Sequence, residues 1–245
     1  MHNFVNYQSG NVYNFNNTSD DTYAIIRKTP TSRSLLKERY GINMNRIRFA
    51  SPYDALEILK IYSPFIKMTA FTFECDVPKP YEMKRRISSV GSRFPWLICE
   101  INGETAGYAF ATSGKQKGAY RWNAEVAVYI KEDYRRCNIA SALYYAVIEL
   151  LKLQGYYNVI AYITIPNESS EHFHRAFGFV KSGELSHVGY KLGKWYSVAI
   201  YEKQLRPITE NDAEPLPVKA ITEIEESDSE HIFTNALKIV RFAKA

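Results

Sequence analysis

The chain has 245 residues, 46% hydrophobic and 23% charged, enough to bury a full core in one domain carrying extensions. Its net charge of +5 comes from scattered Lys and Arg with no long basic run, which argues against nucleic acid and suits a small anionic ligand. Cys75, Cys99 and Cys137 lack CxxC spacing, the first ten residues lack an apolar leader, and no run approaches the roughly 18 apolar residues of a membrane span, so a disulfide framework, a metal site, a secretory signal and a membrane partner are not expected and a cytoplasmic location is.

Residues 1–44, rich in Asn, Tyr, Ser and Thr, form an N-terminal extension whose single periodic stretch predicts a short helix from Ser32 to Tyr40, closed by Gly41. A domain follows over 45–205. Arg46 to Ala50 reads as a strand. The next helix, capped by Ser51 with Pro52 at its first position, carries an apolar stripe at Ala55, Ile58, Leu59 and Tyr62 and is predicted to end at Tyr62. After Pro78 and Pro80 the pattern predicts a helix over 81–90, then a strand over 96–101, a tight Asn102-Gly103 hairpin, and strands over 105–111 and 122–130. Ile139 to Leu153 has the clearest helical period and stops at Gly155. Val159 to Ile163 reads as a strand, Glu168 to Phe177 as a helix ending at Gly178, and 179–189 and 195–205 as two further strands. From Arg206 to Glu230 eight acidic residues and three prolines read as an acidic linker or tail, and 231–245 has helical spacing at Phe233, Ala236, Leu237 and Val240.

The stretch from Tyr134 to Leu143 carries the first chemical signal. A strand, a short polar turn and a helix start place several free backbone N–H groups around one point, which is an anion site. Arg135 and Arg136 add charge, and the small Ala140 keeps the backbone accessible to a phosphate. An ordinary helix with Asn138 as its N-cap accounts for the same residues.

Arg135 to Ala140 resembles the Arg/Gln-x-x-Gly-x-Gly/Ala motif of the GNAT acetyltransferases, with Asn138 in place of the middle glycine and Arg136 at a position that is commonly glycine. Asn167, Ser170, His174 and Gly178-Phe179 are similar to the family's last helix motif. Residues 69–74 (TAFTFE), 119–122 (AYRW), 165–167 (IPN) and 189–195 (GYKLGKW) resemble the phosphinothricin and methionine sulfone branch. The resemblance spans about 46–205. It implies an α/β, GNAT-like three-layer fold with a mixed, splayed central sheet, and an enzyme that transfers acetyl from acetyl-CoA directly to the amine of a small amino-acid-like acceptor. An enzyme for another amine (antibiotic, polyamine or protein N-terminus) and a non-catalytic CoA-binding module are the alternatives.

Under that resemblance acetyl-CoA is held by Arg135, Arg136, Cys137, Asn138, Ile139, Ala140 and Ser141 of the turn, by Val128, Tyr129 and Ile130 of the preceding strand, whose N–H groups would also hold an oxyanion, and by Asn167 and Ser170. An attacking amine must be neutral, and Glu125 matches the branch's base, although the alternation around it is also that of a solvated glutamate. His174 stands where relatives have a tyrosine or histidine and would act as acid or orient substrate; a buried or surface helix histidine is the other assignment. Lys115, Lys117, Tyr120 and Phe71 would bind the acceptor, the lysines through its acidic group, or else be solvated loop and core residues. A homodimer is also implied.

Overall fold

The computed structural model describes residues 3–5, 12–14, 45–114, 117–208 and 215–241. The chain divides into two units, 1–45 and 46–245. In the first, β1 (Asn3–Val5) and β2 (Val12–Asn14) pair antiparallel. The helix expected from Ser32 to Tyr40 lies outside the described residues.

The second unit is built on strands β3 (Arg46–Phe49), β4 (Trp96–Ile101), β5 (Glu104–Ser113), β6 (Asn123–Ile130), β7 (Asn158–Ile165), β8 (Val180–Lys191) and β9 (Lys194–Gln204). They form a seven-stranded sheet in the order β3-β4-β5-β6-β7-β9-β8. Turn chemistry sets two of the hairpins: Asn102 and Gly103 take φ of 52° and 76°, and Leu192 and Gly193 take 50° and 80°, the paired positive values that a two-residue hairpin needs to match strand twist. Only β6 and β7 run parallel, because helix α3 (Ile139–Gln154) carries the chain back between them.

The other helices are α1 (Ala55–Met68), α2 (Pro80–Gly91), α4 (Glu168–Ala176) and α5 (Glu226–Leu237). Period-two alternation sorts the sheet into two faces. In β4, Leu97 and Cys99 join the core with α3 and α5, whereas Trp96 and Ile98 join the core with α1 and α2. Burial on both faces explains why this strand reads as an almost unbroken apolar run. The result is the mixed, three-layer α/β architecture expected.

Helix α1 does not stop at Tyr62. It continues through Pro64 to Met68, because Ile66 is buried with Ile61 and Tyr62 in the α1–α2 core; Ser63 Oγ donates to the Leu59 carbonyl at 2.6 Å in the turn before the proline. Apolar burial of about 2 kcal/mol per large side chain offsets most of the roughly 3 kcal/mol that an internal proline costs.

From Leu216 onward the acidic stretch lies against the body: the Trp122 indole donates to the Leu216 carbonyl (2.9 Å), and the buried Gln154 amide bridges the carbonyls of Arg93 (2.7 Å) and Lys219 (2.8 Å). Helix α5 then begins at Glu226, where acidic side chains suit the positive end of a helix, and buries Ile232 and Ala236.

On β3, the Arg48 guanidinium grips Asp54 through two hydrogen bonds (2.7 and 2.8 Å) and reaches Glu100 (2.7 Å), which Arg46 also contacts (2.8 Å); both carboxylates are buried. Among the described residues no helix is long and apolar enough to cross a membrane.

Candidate active site

Strands β6 and β7 pair over only three positions, Asn123–Glu125 against Asn158–Ile160. Beyond them the strands part: β6 stays on β5 as far as Ile130 opposite Gly107, and β7 stays on β9 as far as Ile165 opposite Ser197. This is the splay expected of the sheet. It opens a cleft at the carboxyl ends of two parallel strands, each of which leads into a helix N-terminus, the arrangement in which α/β sheets bind ligands.

The turn between β6 and α3 is shaped by two residues in the left-handed region, Arg136 (φ 64°) and Asn138 (φ 58°, ψ 15°). An ordinary capped helix is not what forms, since Asn138 is left-handed rather than extended and its side chain caps nothing. The leading amides of α3, at Ile139, Ala140 and Ser141, have no i−4 carbonyl to bond and are available to an anion. Asparagine tolerates its conformation well; Arg136 has no such excuse and costs on the order of 1 kcal/mol. Both arginines are exposed, with the Arg135 guanidinium 6.0 Å above the Phe65 ring, and Cys137 is half-buried with its Sγ 3.6 Å from the Arg135 carbonyl. The turn, the amides and the cleft fit a pyrophosphate-bearing cosubstrate.

Across the cleft, Asn167 caps α4 by accepting from the Ser170 N–H at 3.2 Å, after a cis Ile165-Pro166 bond. His174 lies one turn further on and is buried. Its Nδ1 is 2.7 Å from the Ser170 carbonyl, which can only accept, so Nδ1 carries the proton; Nε2 then accepts from the Tyr144 hydroxyl at 2.8 Å. Tyr144, Phe173 and Phe179 surround the ring. Burial lowers the His174 pKa below its ordinary 6.5, against the opposing pull of the Ser170 carbonyl. Both nitrogens are therefore hydrogen-bonded inside the protein.

A depressed histidine pKa makes stability pH-dependent with a defined sign. Its contribution is fully present above about pH 6.5 and is lost as pH falls from there through the lower folded value. The melting temperature of the wild type is expected to fall between pH 6.5 and 5 more steeply than that of His174→Gln; equal slopes would show that this ring does not resist protonation.

Glu125 sits where β6 and β7 separate, opposite Thr112 on β5 and Ile160 on β7. Among the described residues no hydrogen-bond partner meets its carboxylate, and burial raises its pKa above the ordinary 4.5. Gly114 leaves it room, because a Cβ there would lie 2.9 Å from Glu125 Oε1. No pattern in the sequence pointed to Gly114, since its role exists only once β5 and β6 are paired.

Aromatic and polar groups line the same side of β6. The Tyr129 ring is packed among Tyr62, Phe65 and Tyr108 with centroids 4.8 to 5.3 Å apart. The Tyr62 hydroxyl meets Thr72 Oγ1 (2.7 Å) and Glu74 (3.0 Å), and Arg86 pairs with Glu74 (2.7 Å). Buried Lys191 donates to the Thr72 carbonyl at 2.7 Å, and Gly189 has no room for a Cβ beside the Phe73 ring. These contacts bind the 69–74 loop to the β8–β9 hairpin, joining motifs far apart in the chain. Phe71 is left 46% exposed and Tyr120 39% exposed. Lys117 is exposed beside the turn Gly118–Tyr120, and Lys115 lies outside the described residues. Among the described residues no cluster of His, Cys, Asp and Glu could hold a metal.

Residues 47–200 match a family model described as an acetyltransferase (GNAT) domain. The chain belongs to the GNAT acetyltransferases. It is 32% identical to a phosphinothricin N-acetyltransferase of Streptomyces viridochromogenes over 178 residues, covering 73% of this chain and 95% of the relative. A methionine sulfoximine/methionine sulfone acetyltransferase of Pseudomonas aeruginosa is 29% identical, covering 66% and 95%. Among solved structures, a phosphinothricin acetyltransferase of this superfamily from Sinorhizobium meliloti in complex with acetyl-CoA aligns with a TM-score of 0.65 at 27% identity, covering 72% of this chain and 98% of that one. This GNAT enzyme is an N-acetyltransferase with acetyl-CoA as its cosubstrate.

Proposed function

We propose that this GNAT enzyme acetylates the amine of a small amino-acid-like acceptor of the phosphinothricin or methionine sulfone type by direct transfer. One observation carries the proposal: the Glu125 carboxylate, which meets no hydrogen-bond partner among the described residues, stands at the fork of the splayed sheet. Relatives named for such acceptors support it.

Glu125 takes the proton from the acceptor's ammonium group, directly or through a water, leaving the amine neutral for attack. Arg135, Arg136 and the backbone from Cys137 and Asn138 to Ile139, Ala140 and Ser141 would hold the pyrophosphate of acetyl-CoA, and the backbone of Val128, Tyr129 and Ile130, with Asn167 and Ser170, would hold the rest of the cosubstrate. Bound there, acetyl-CoA supplies an acetyl group activated as a thioester. Phe71 and Tyr120 flank the acceptor, and Lys115 and Lys117 attract its acidic group. His174 is a positioning residue: through Ser170 and Tyr144 it fixes the first turns of α4 against α3. The enzyme works as a cytoplasmic homodimer; light scattering should give twice the 28.2 kDa of one chain, and a single-chain mass would refute that.

Free-thiol release with acetyl-CoA is the direct test. Phosphinothricin and methionine sulfone should be turned over well above polyamines, aminoglycosides and peptide N-termini; a preference for any of the latter would overturn the acceptor class. Gly114→Ala should lower kcat about tenfold with little change in melting temperature, since its new Cβ would displace the Glu125 carboxylate. An unchanged kcat would mean that the carboxylate's position does not matter.

A further inference from the structure

The chain continues past the family match, which ends at residue 200, and its last described residues return to the cofactor turn. Helix α5 packs on α3 and β3: Ile232, Ala236 and Val240 are buried in the core that holds Ile139, Ala142 and Leu143, and Phe233 meets Phe49 edge to face at 5.2 Å. The helix then unwinds through tight bonds from Ile239 N–H to the Ala236 carbonyl (3.0 Å) and from Val240 N–H to the Leu237 carbonyl (3.2 Å). This brings the Arg241 N–H within 2.9 Å of the Cys137 carbonyl.

That carbonyl stands between the two left-handed residues, Arg136 and Asn138. In a trans peptide the C=O of one residue and the N–H of the next point in opposite directions. Fixing the Cys137 oxygen toward the C-terminal segment therefore aims the Asn138 N–H the other way and resists a flip of that peptide. A glycine-rich turn adopts this conformation at no steric cost, but Arg136 and Asn138 do not.

We propose that the C-terminal segment is a strap that holds the glycine-poor turn in its pyrophosphate-binding shape, with the Arg241 backbone N–H as the positioning group. The proposal rests on the assignment of Arg135–Ala140 to the pyrophosphate. It makes a sharp distinction between two substitutions, because Arg241→Pro removes the N–H whereas Arg241→Ala keeps it. Loss of one such hydrogen bond should raise Kd for acetyl-CoA about three- to tenfold.

Calorimetry and steady-state kinetics with acetyl-CoA and with acetyl-pantetheine, which lacks the pyrophosphate, test the strap. Arg241→Pro, and a chain ended after Val240, should weaken acetyl-CoA binding and raise its KM while kcat stays within twofold. Arg241→Ala should match the wild type, and no variant should change the kinetics with acetyl-pantetheine. Wild-type affinity for acetyl-CoA in both Arg241→Pro and the shortened chain overturns the strap but leaves the turn assignment standing, as does an equal loss with both thioesters, which would signal general loosening. If the wild type binds acetyl-CoA no better than acetyl-pantetheine, the turn assignment itself fails, and the strap with it.

Discussion

Glu125→Gln is expected to lower kcat by about two to four orders of magnitude while leaving Kd for acetyl-CoA unchanged, the usual range for removal of a general base. The amide keeps the volume of the side chain but cannot accept the proton. Burial raises the Glu125 pKa, so at neutral pH the carboxylate is a stronger base than a solvated glutamate. The sign of the pH dependence follows. The base works only when ionised, so wild-type kcat should rise with pH through an inflection above 4.5, and that limb should be missing from Glu125→Gln. A variant retaining a third or more of wild-type kcat would eliminate Glu125 as the base and leave deprotonation to solvent.

Arg48→Leu is expected to have the largest effect on stability, roughly 3 to 5 kcal/mol from the denaturant midpoint, out of the 5 to 15 kcal/mol typical of a folded domain. The loss comes less from the missing attraction than from leaving Asp54 and Glu100 buried with fewer cations. Burial pushes the Asp54 pKa up, but the hydrogen bonds and charge of Arg48, with help from Ser51, outweigh it and hold the carboxyl below its ordinary 3.8. A depressed carboxylate contributes stability above its unfolded pKa and loses it as pH falls through the folded value. The gap between Arg48→Leu and wild type should therefore narrow below about pH 3.8. A deficit under 1 kcal/mol at pH 7 would mean that water already solvates the cluster. Acetyl transfer should be unaffected at temperatures where the variant stays folded, because the cluster lies on β3, at the sheet edge away from the cleft.

Much of the molecule was legible residue by residue. Asn102-Gly103 announced a hairpin because few other pairs accept two positive φ values, and the apolar period from Ile139, stopped by Gly155, announced α3 because a helix repeats every 3.6 residues. The turn at Arg135–Ala140 was visible for the same reason: a strand, a polar break and a helix start suffice to array free amides. The splay at Glu125 came from family resemblance alone, since no local pattern tells a strand where its neighbour will leave it.

Contacts between distant segments decided the rest. The apolar stripe predicted a helix end at Tyr62, yet α1 runs on through Pro64 with Ile66 buried in the core, and packing prevailed. His174 carries the residue type of an acid, and only folding brings Tyr144, 30 residues earlier, to its Nε2. Gly114 and Arg241 showed nothing in sequence, because each matters through one atom of a partner, Oε1 of Glu125 or the carbonyl of Cys137. Sequence by itself located most of the strands, helices and turns, through backbone sterics and apolar period, both properties of neighbours along the chain. Tertiary structure alone decided that the Glu125 carboxylate meets no hydrogen-bond partner among the described residues, that both His174 nitrogens are hydrogen-bonded and that the Arg241 amide meets the Cys137 carbonyl, because burial and hydrogen-bond partnership are set by residues that meet only after folding.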